Sequence, residues 1–124
     1  MLVKHVMTTD VVTSTKDTTI QECIELLFKR HVGSIIIVDN NQRCLGIFTE
    51  RDAIRFIAQK MPLDTPVEKG MTKNILTVDE NATFKEAQSI INNHGIRHLP
   101  VTNSDGKLVG LISVRTILNE FLGI

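Results

Sequence analysis

At 124 residues and 42% apolar content, the chain has the size and hydrophobicity of one compact domain. Fourteen basic residues balance fourteen acidic ones with no basic tail, which argues against a nucleic-acid binder; without Trp or Tyr, base stacking would rest on five Phe. Cys23 and Cys44, both at apolar positions, make neither a disulfide framework nor a Cys-x-x-Cys zinc site, and four scattered His suggest no metal centre.

The N-terminus reaches Lys4 and His5 at once, unlike a secretory signal, and the longest aliphatic run, Ile35 to Val38, is far too short to cross a bilayer. A soluble cytoplasmic protein is the expectation. In chain order, Val11-Val12-Thr13 reads as a short strand. Thr19-x-x-Glu22 then opens a helix as a capping box, and Ile20, Cys23, Ile24, Leu27 and His31 give it one apolar stripe. Gly33 stands where that helix should end in a left-handed residue. Ile35–Val38 and Cys44–Phe48 flank a polar turn as two strands, and a second helix runs from about Glu50 to Lys60.

The remainder repeats this order. Shifted by 64 residues, Met7-Thr8 falls on Met71-Thr72, Thr13 on Thr77, Thr19 on Thr83, Glu22 on Glu86, Gly46 on Gly110 and Arg51 on Arg115, without a gap. The second copy has its own capping box at Thr83-x-x-Glu86, a stripe of Phe84, Ala87, Ile90, Ile91 and His94, and Gly95 at the helix end. Strands Leu99–Thr102 and Leu108–Ile112 follow around Asn103-Ser104-Asp105-Gly106, then a helix over Val114–Leu122. The sequence therefore predicts an α/β (α+β) fold of two units, each strand–helix–strand–strand–helix, over 1–61 and 67–124. A Pro-bounded link, 62–66, joins them. Units of this size bury only part of their apolar faces alone, so the two small sheets are expected to pack as a pseudo-twofold pair.

Gly46-Ile47-Phe48-Thr49-Glu50-Arg51-Asp52 turns a strand directly into a helix. Thr49 and Asp52 could hold a nucleotide beside the free N–H groups of the helix start, or simply cap that helix. Arg97 and His98 are adjacent, so on a strand they face opposite sides; one or both could meet a phosphate, or they could be a solvated charge and a half-buried imidazole. Enzyme signatures such as Gly-x-x-x-x-Gly-Lys-Ser, Gly-x-Ser-x-Gly and His-Glu-x-x-His are missing.

Val6-Met7-Thr8 and Gly70-Met71-Thr72 before the first strands, Gly95-Ile96-Arg97-His98-Leu99-Pro100-Val101, the Gly46–Asp52 stretch and Gly110-Leu111-Ile112-Ser113 together resemble the cystathionine-β-synthase (CBS) domain, over essentially the whole chain. The resemblance implies a stand-alone CBS pair: not an enzyme, with no catalytic residue, metal or required cofactor. It implies a regulatory module that takes AMP, ADP, ATP or S-adenosylmethionine into a cleft between the repeats and signals to a downstream protein not identified by the sequence. By the same resemblance Asp52 holds the ribose with Thr49 beside it. Val12, Thr13, Ile47 and Phe48 form a wall for the base, and Arg97 and His98 of the other repeat meet the phosphates. The second cleft is degraded: Ser113 matches, Thr116 replaces the Asp, and its cross-repeat residues, Gly33 and Ser34, carry no charge. CBS pairs commonly form disc-like homodimers, for which Ile54, Ile57, Leu118 and Phe121 are candidate contacts. The competing reading is such a homodimeric interaction module with no ligand at all.

Overall fold

Thr19 and Thr83 each cap a helix, as their spacing predicts. In the computed structural model, which describes residues 1–123, these are α1 (Ile20–Arg30) and α3 (Phe84–His94), and each threonine hydroxyl accepts from the backbone N–H three residues on, at 3.1 Å. The Thr83 box is complete, with Thr83 N–H donating back to Glu86. At α1 it is half formed, because the Glu22 carboxylate accepts from the Thr19 hydroxyl instead. The helix start is satisfied otherwise: the Ile20 and Gln21 N–H groups donate to the carbonyls of Thr65 and Leu63, both at 2.9 Å.

The fold is mixed α/β, with two three-stranded sheets and four α-helices among the described residues. One compact unit is continuous, Val12–Ile75; the other is split, assembled from Met1–Val11 and the chain from Leu76 onward. In the continuous unit, β1 (Thr13–Ser14) runs parallel to β2 (Ser34–Val38), which pairs antiparallel with β3 (Cys44–Thr49) before α2 (Glu50–Ala58). The split unit repeats this with β4 (Val78–Asp79), β5 (His98–Thr102), β6 (Leu108–Ser113) and α4 (Val114–Leu122). The first strand lies slightly later than the apolar pair suggested. Val12 is buried core and lends its carbonyl to Ile36 N–H just ahead of β1.

Each unit has its own core. Ile35, Ile37 and Phe48 pack with Ile20, Cys23, Leu27 and Phe56, while Leu99, Val101 and Ile112 pack with Ala87 and Ile91. Strand alternation sends Ile36 and Ile47, paired in register, to the other face of their sheet.

The segments ahead of the two repeats are exchanged. Val67, in a single 3-10 turn (Val67–Lys69), enters the core of the continuous unit, and Val3, in the matching turn (Val3–His5), enters that of the split unit. Three-residue turns are too short to leave a period in the sequence. Beyond them Thr72 exchanges both backbone hydrogen bonds with Ile47 (2.8 and 3.0 Å), and Thr8 does so with Leu111 (2.9 Å each). The Met-Thr pairs thus close onto Gly46 and Gly110, the glycine of the following repeat for Met7-Thr8 and of the preceding one for Met71-Thr72.

One helix end differs from expectation. α3 stops at Gly95 with φ 61°, but in α1 the left-handed residue is His31 (φ 52°), not Gly33, because His31 is the true counterpart of Gly95. A side chain in that conformation is strained by about 1 kcal/mol. His31→Gly is therefore expected to stabilise the protein by roughly 0.5 kcal/mol after the added chain entropy of glycine. Gly95→Ala, which meets open space, should destabilise it by about 1 kcal/mol. Urea unfolding of the pair checks the opposite signs.

Candidate functional site

β3 passes into α2 without a loop. Thr49 is extended (φ −112°, ψ 169°), its hydroxyl accepts from Asp52 N–H at 3.3 Å, and the next N–H, of Glu50, donates to the Gly33 carbonyl at 3.2 Å. This corner holds Asp52 with only 7% of its surface exposed. Its Oδ2 accepts from the Thr49 N–H (3.0 Å) and the Thr49 hydroxyl (3.1 Å). Its Oδ1 accepts from Arg55 Nη2 and from the Thr72 hydroxyl, both at 3.3 Å. Arg55 Nη2 also donates to the Gly70 carbonyl at 2.9 Å, so one guanidinium ties the carboxylate to the chain beyond α2.

Buried carboxylates need such partners, since an unpaired charge in a poorly solvated place is costly. The capping role is therefore real. It does not by itself require a charge, as β6 and α4 demonstrate: there Ser113 and Thr116 build the same reciprocal box with neutral hydroxyls, all three contacts at 3.2 Å. The carboxylate adds negative charge and strong acceptor capacity at a helix start.

The other predicted residues fall as follows. Val12, Thr13, Gly33, Ser34, Ile47 and Phe48 belong to the continuous unit, with Ser34 buried and paired in register with Thr49. Phe48 has no exposed surface and Val12 only 6%, both within the core cluster; Ile47, at 7%, is equally buried but lies outside that cluster, and Thr13 is exposed. Arg97, His98, Ser113 and Thr116 belong to the split unit. There Arg97 is exposed and its carbonyl accepts from Val114 N–H at 3.1 Å, while half-buried His98 faces Ser113 across the β5–β6 pair. Open grooves of about 290 Å³ (Ser14, Thr18, Glu22, Glu25, Leu26, Lys29) and about 620 Å³ (Thr83, Lys85, Glu86, Ser89, Ile90) contain none of the predicted residues.

Arg55 and Thr72 were not singled out from the sequence. The Asp52–Arg55 spacing of three on a helix was the available signal for the first; nothing local signals the second.

The CBS domain model matches residues 3–59 and 66–123. The chain belongs to the CBS domain family. A relative of this CBS pair, an uncharacterized 17.7 kDa protein from Acidianus ambivalens, is 36% identical over 122 residues, covering 98% of this chain and 74% of that protein. Among solved structures, the CBS domain pair of protein MJ0100, in complex with 5'-methylthioadenosine and S-adenosyl-L-methionine, superposes with a TM-score of 0.91 at 25% identity, over 99% of this chain and 97% of the other. CBS domain protein PAE2072 from Pyrobaculum aerophilum, complexed with AMP, gives 0.89 at 29% identity over the whole of both chains. The family match thus agrees with the resemblance read from Val6-Met7-Thr8, Gly46–Asp52 and their repeats.

Among the described residues no helix of the CBS pair is long and apolar enough to cross a membrane. Its thiols are not poised for chemistry: burial pushes both Cys23 and Cys44 up from 9.0 to about 11, with Glu22 and Asp39, respectively, adding to the shift. Both should resist a disulfide reagent at pH 8 in the folded protein and react on unfolding. Because the folded values lie above the unfolded ones, the stabilisation is complete below pH 9 and is lost as pH rises from 9 towards 11. Urea midpoints across that range check this, and should fall less steeply in a double Cys→Ala variant.

Proposed function

We propose that this CBS pair is a regulatory module that binds an adenosine-containing ligand, AMP, ADP, ATP or S-adenosylmethionine, and passes the event to a partner protein. The observation that carries the reading is Asp52: a buried carboxylate in the family's Gly-h-h-Thr-x-x-Asp position, where the related helix needs none. The complexes of MJ0100 and PAE2072 with adenosine compounds support it. In this reading Asp52 and Thr49 bind the ribose, and Thr13 and Ile47 border the base with Val12 and Phe48 behind them. Arg97 and His98 supply donors and charge for phosphates. The position built on Ser113 and Thr116, with Gly33 and Ser34, lacks a carboxylate and takes the ligand more weakly. No residue is assigned a catalytic role.

Ligand at a hundred times its Kd stabilises the bound form by about 2.7 kcal/mol, enough to move a near-balanced equilibrium. Titration calorimetry and thermal shift with the four ligands test the reading, with binding of at least one expected. No heat and no shift from any of them, in folded protein, would overturn it.

A second reading is favoured by the surface of α2 and α4. Ile54, Ile57, Leu118 and Phe121 are 67, 55, 53 and 83% exposed, an apolar display that suits a homodimer. Light scattering with and without nucleotide separates the two: a dimer indifferent to every ligand supports the interaction module instead.

A further inference from the structure

Asp52 has capacity for about four hydrogen bonds, and four donors already point at it. A ribose that binds this carboxylate must therefore displace at least one of them, and the four are not equally held. Thr49 N–H and hydroxyl form the cap of α2, so losing either leaves a helix-start donor without its acceptor. Arg55 carries a charge and is fixed independently by the Gly70 carbonyl at 2.9 Å. Thr72 is neutral and exposed, and its contact is long, 3.3 Å. Its backbone is pinned on both sides to Ile47, at 2.8 and 3.0 Å, so the hydroxyl can rotate away into water while the chain stays in place.

We propose that the Thr72 hydroxyl is a built-in competitor for the ribose site: it occupies the acceptor position on Asp52 Oδ1 that a ligand hydroxyl must take, and so sets the affinity of the module. This rests on the adenosine-binding reading above. Thr72 sets affinity for the ribose that all these ligands share and does not itself contact the ligand. Its position in the exchanged Met71-Thr72 segment also makes the competition a link: ligand arrival frees a side chain on the stretch that leads into the second repeat.

The test is calorimetry with AMP and S-adenosylmethionine as probes, on wild type, Thr72→Val and Thr72→Ser, with the melting of each protein measured without added ligand. Removing the hydroxyl should tighten binding about three- to tenfold, the worth of one hydrogen bond that no longer has to be exchanged, while lowering the melting temperature slightly. Thr72→Ser, which keeps the hydroxyl, should bind as wild type. The opposite signs matter, because a merely structural threonine would lower stability and affinity together. If Thr72→Val disturbs the fold, Thr72→Ala provides the same comparison. Wild type that binds while the hydroxyl-free variants bind equally or more weakly overturns the competition and leaves the functional reading standing. Wild type that binds neither probe, nor ADP or ATP, overturns the reading, and the competition with it.

Discussion

Asp52→Thr is expected to give a folded protein whose affinity for an adenosine ligand falls by at least about a hundredfold. The substitution copies what the second repeat does naturally. Thr116 closes a reciprocal box with Ser113, so a threonine at 52 can keep both capping contacts with Thr49. The carboxylate alone disappears. Hydrogen bonds to a charged acceptor are worth about 1.5–3 kcal/mol each, and a ribose diol makes two, which places the loss at several kcal/mol. Stability should drop much less, by about 1 kcal/mol, since Arg55 keeps the Gly70 carbonyl and its side chain is 47% exposed. Calorimetry with AMP and S-adenosylmethionine, together with a urea midpoint, measures both quantities. Binding that survives the change would reduce Asp52 to a helix cap.

Gly46→Ala should destabilise the continuous unit by about 2–3 kcal/mol, the usual range for forcing an extra methyl into a packed contact. A Cβ there would meet the Thr72 carbonyl oxygen at 2.7 Å and the Met71 sulfur at 2.8 Å. The first is backbone, held by Ile47 N–H at 3.0 Å, and cannot rotate aside. Gly110→Ala is the internal control. Its closest obstacle is the Met7 side chain, at 2.5 Å to the sulfur, with the Thr8 carbonyl farther off at 3.0 Å. A methionine tail yields more easily than a peptide group, so the Gly110 variant should lose roughly half as much. Thermal unfolding of the two variants ranks them; equal losses would mean that both Met-Thr segments give way as a whole.

Several features are legible in the amino acids because their causes are local. The threonine caps act over three residues, the helices show their period, and the turns at Asp39 and Asn103 are closed by their own side chains, each accepting from two backbone N–H groups nearby. The duplication follows from one register shift. From these come the element order, the two-unit α/β fold and the corner that carries Thr49 and Asp52. Even a local inference can fail by a small offset: Gly33 looked like the helix stop, but the ungapped alignment puts His31 opposite Gly95, and the backbone takes the left-handed turn there.

Which segment closes on which glycine belongs to the tertiary structure alone. Met7 and Gly110 lie far apart in the chain, and both repeats offer nearly the same apolar surface, so no pattern in one copy tells which Met-Thr pair will dock on it. The same holds for Thr72 reaching Asp52, and for Phe48, whose side chain lies wholly within the core. Hydrophobic burial is non-directional and rewards either arrangement alike. The missing Cβ at Gly46 and Gly110 makes room for either segment, and only the path of the connected chain selects one.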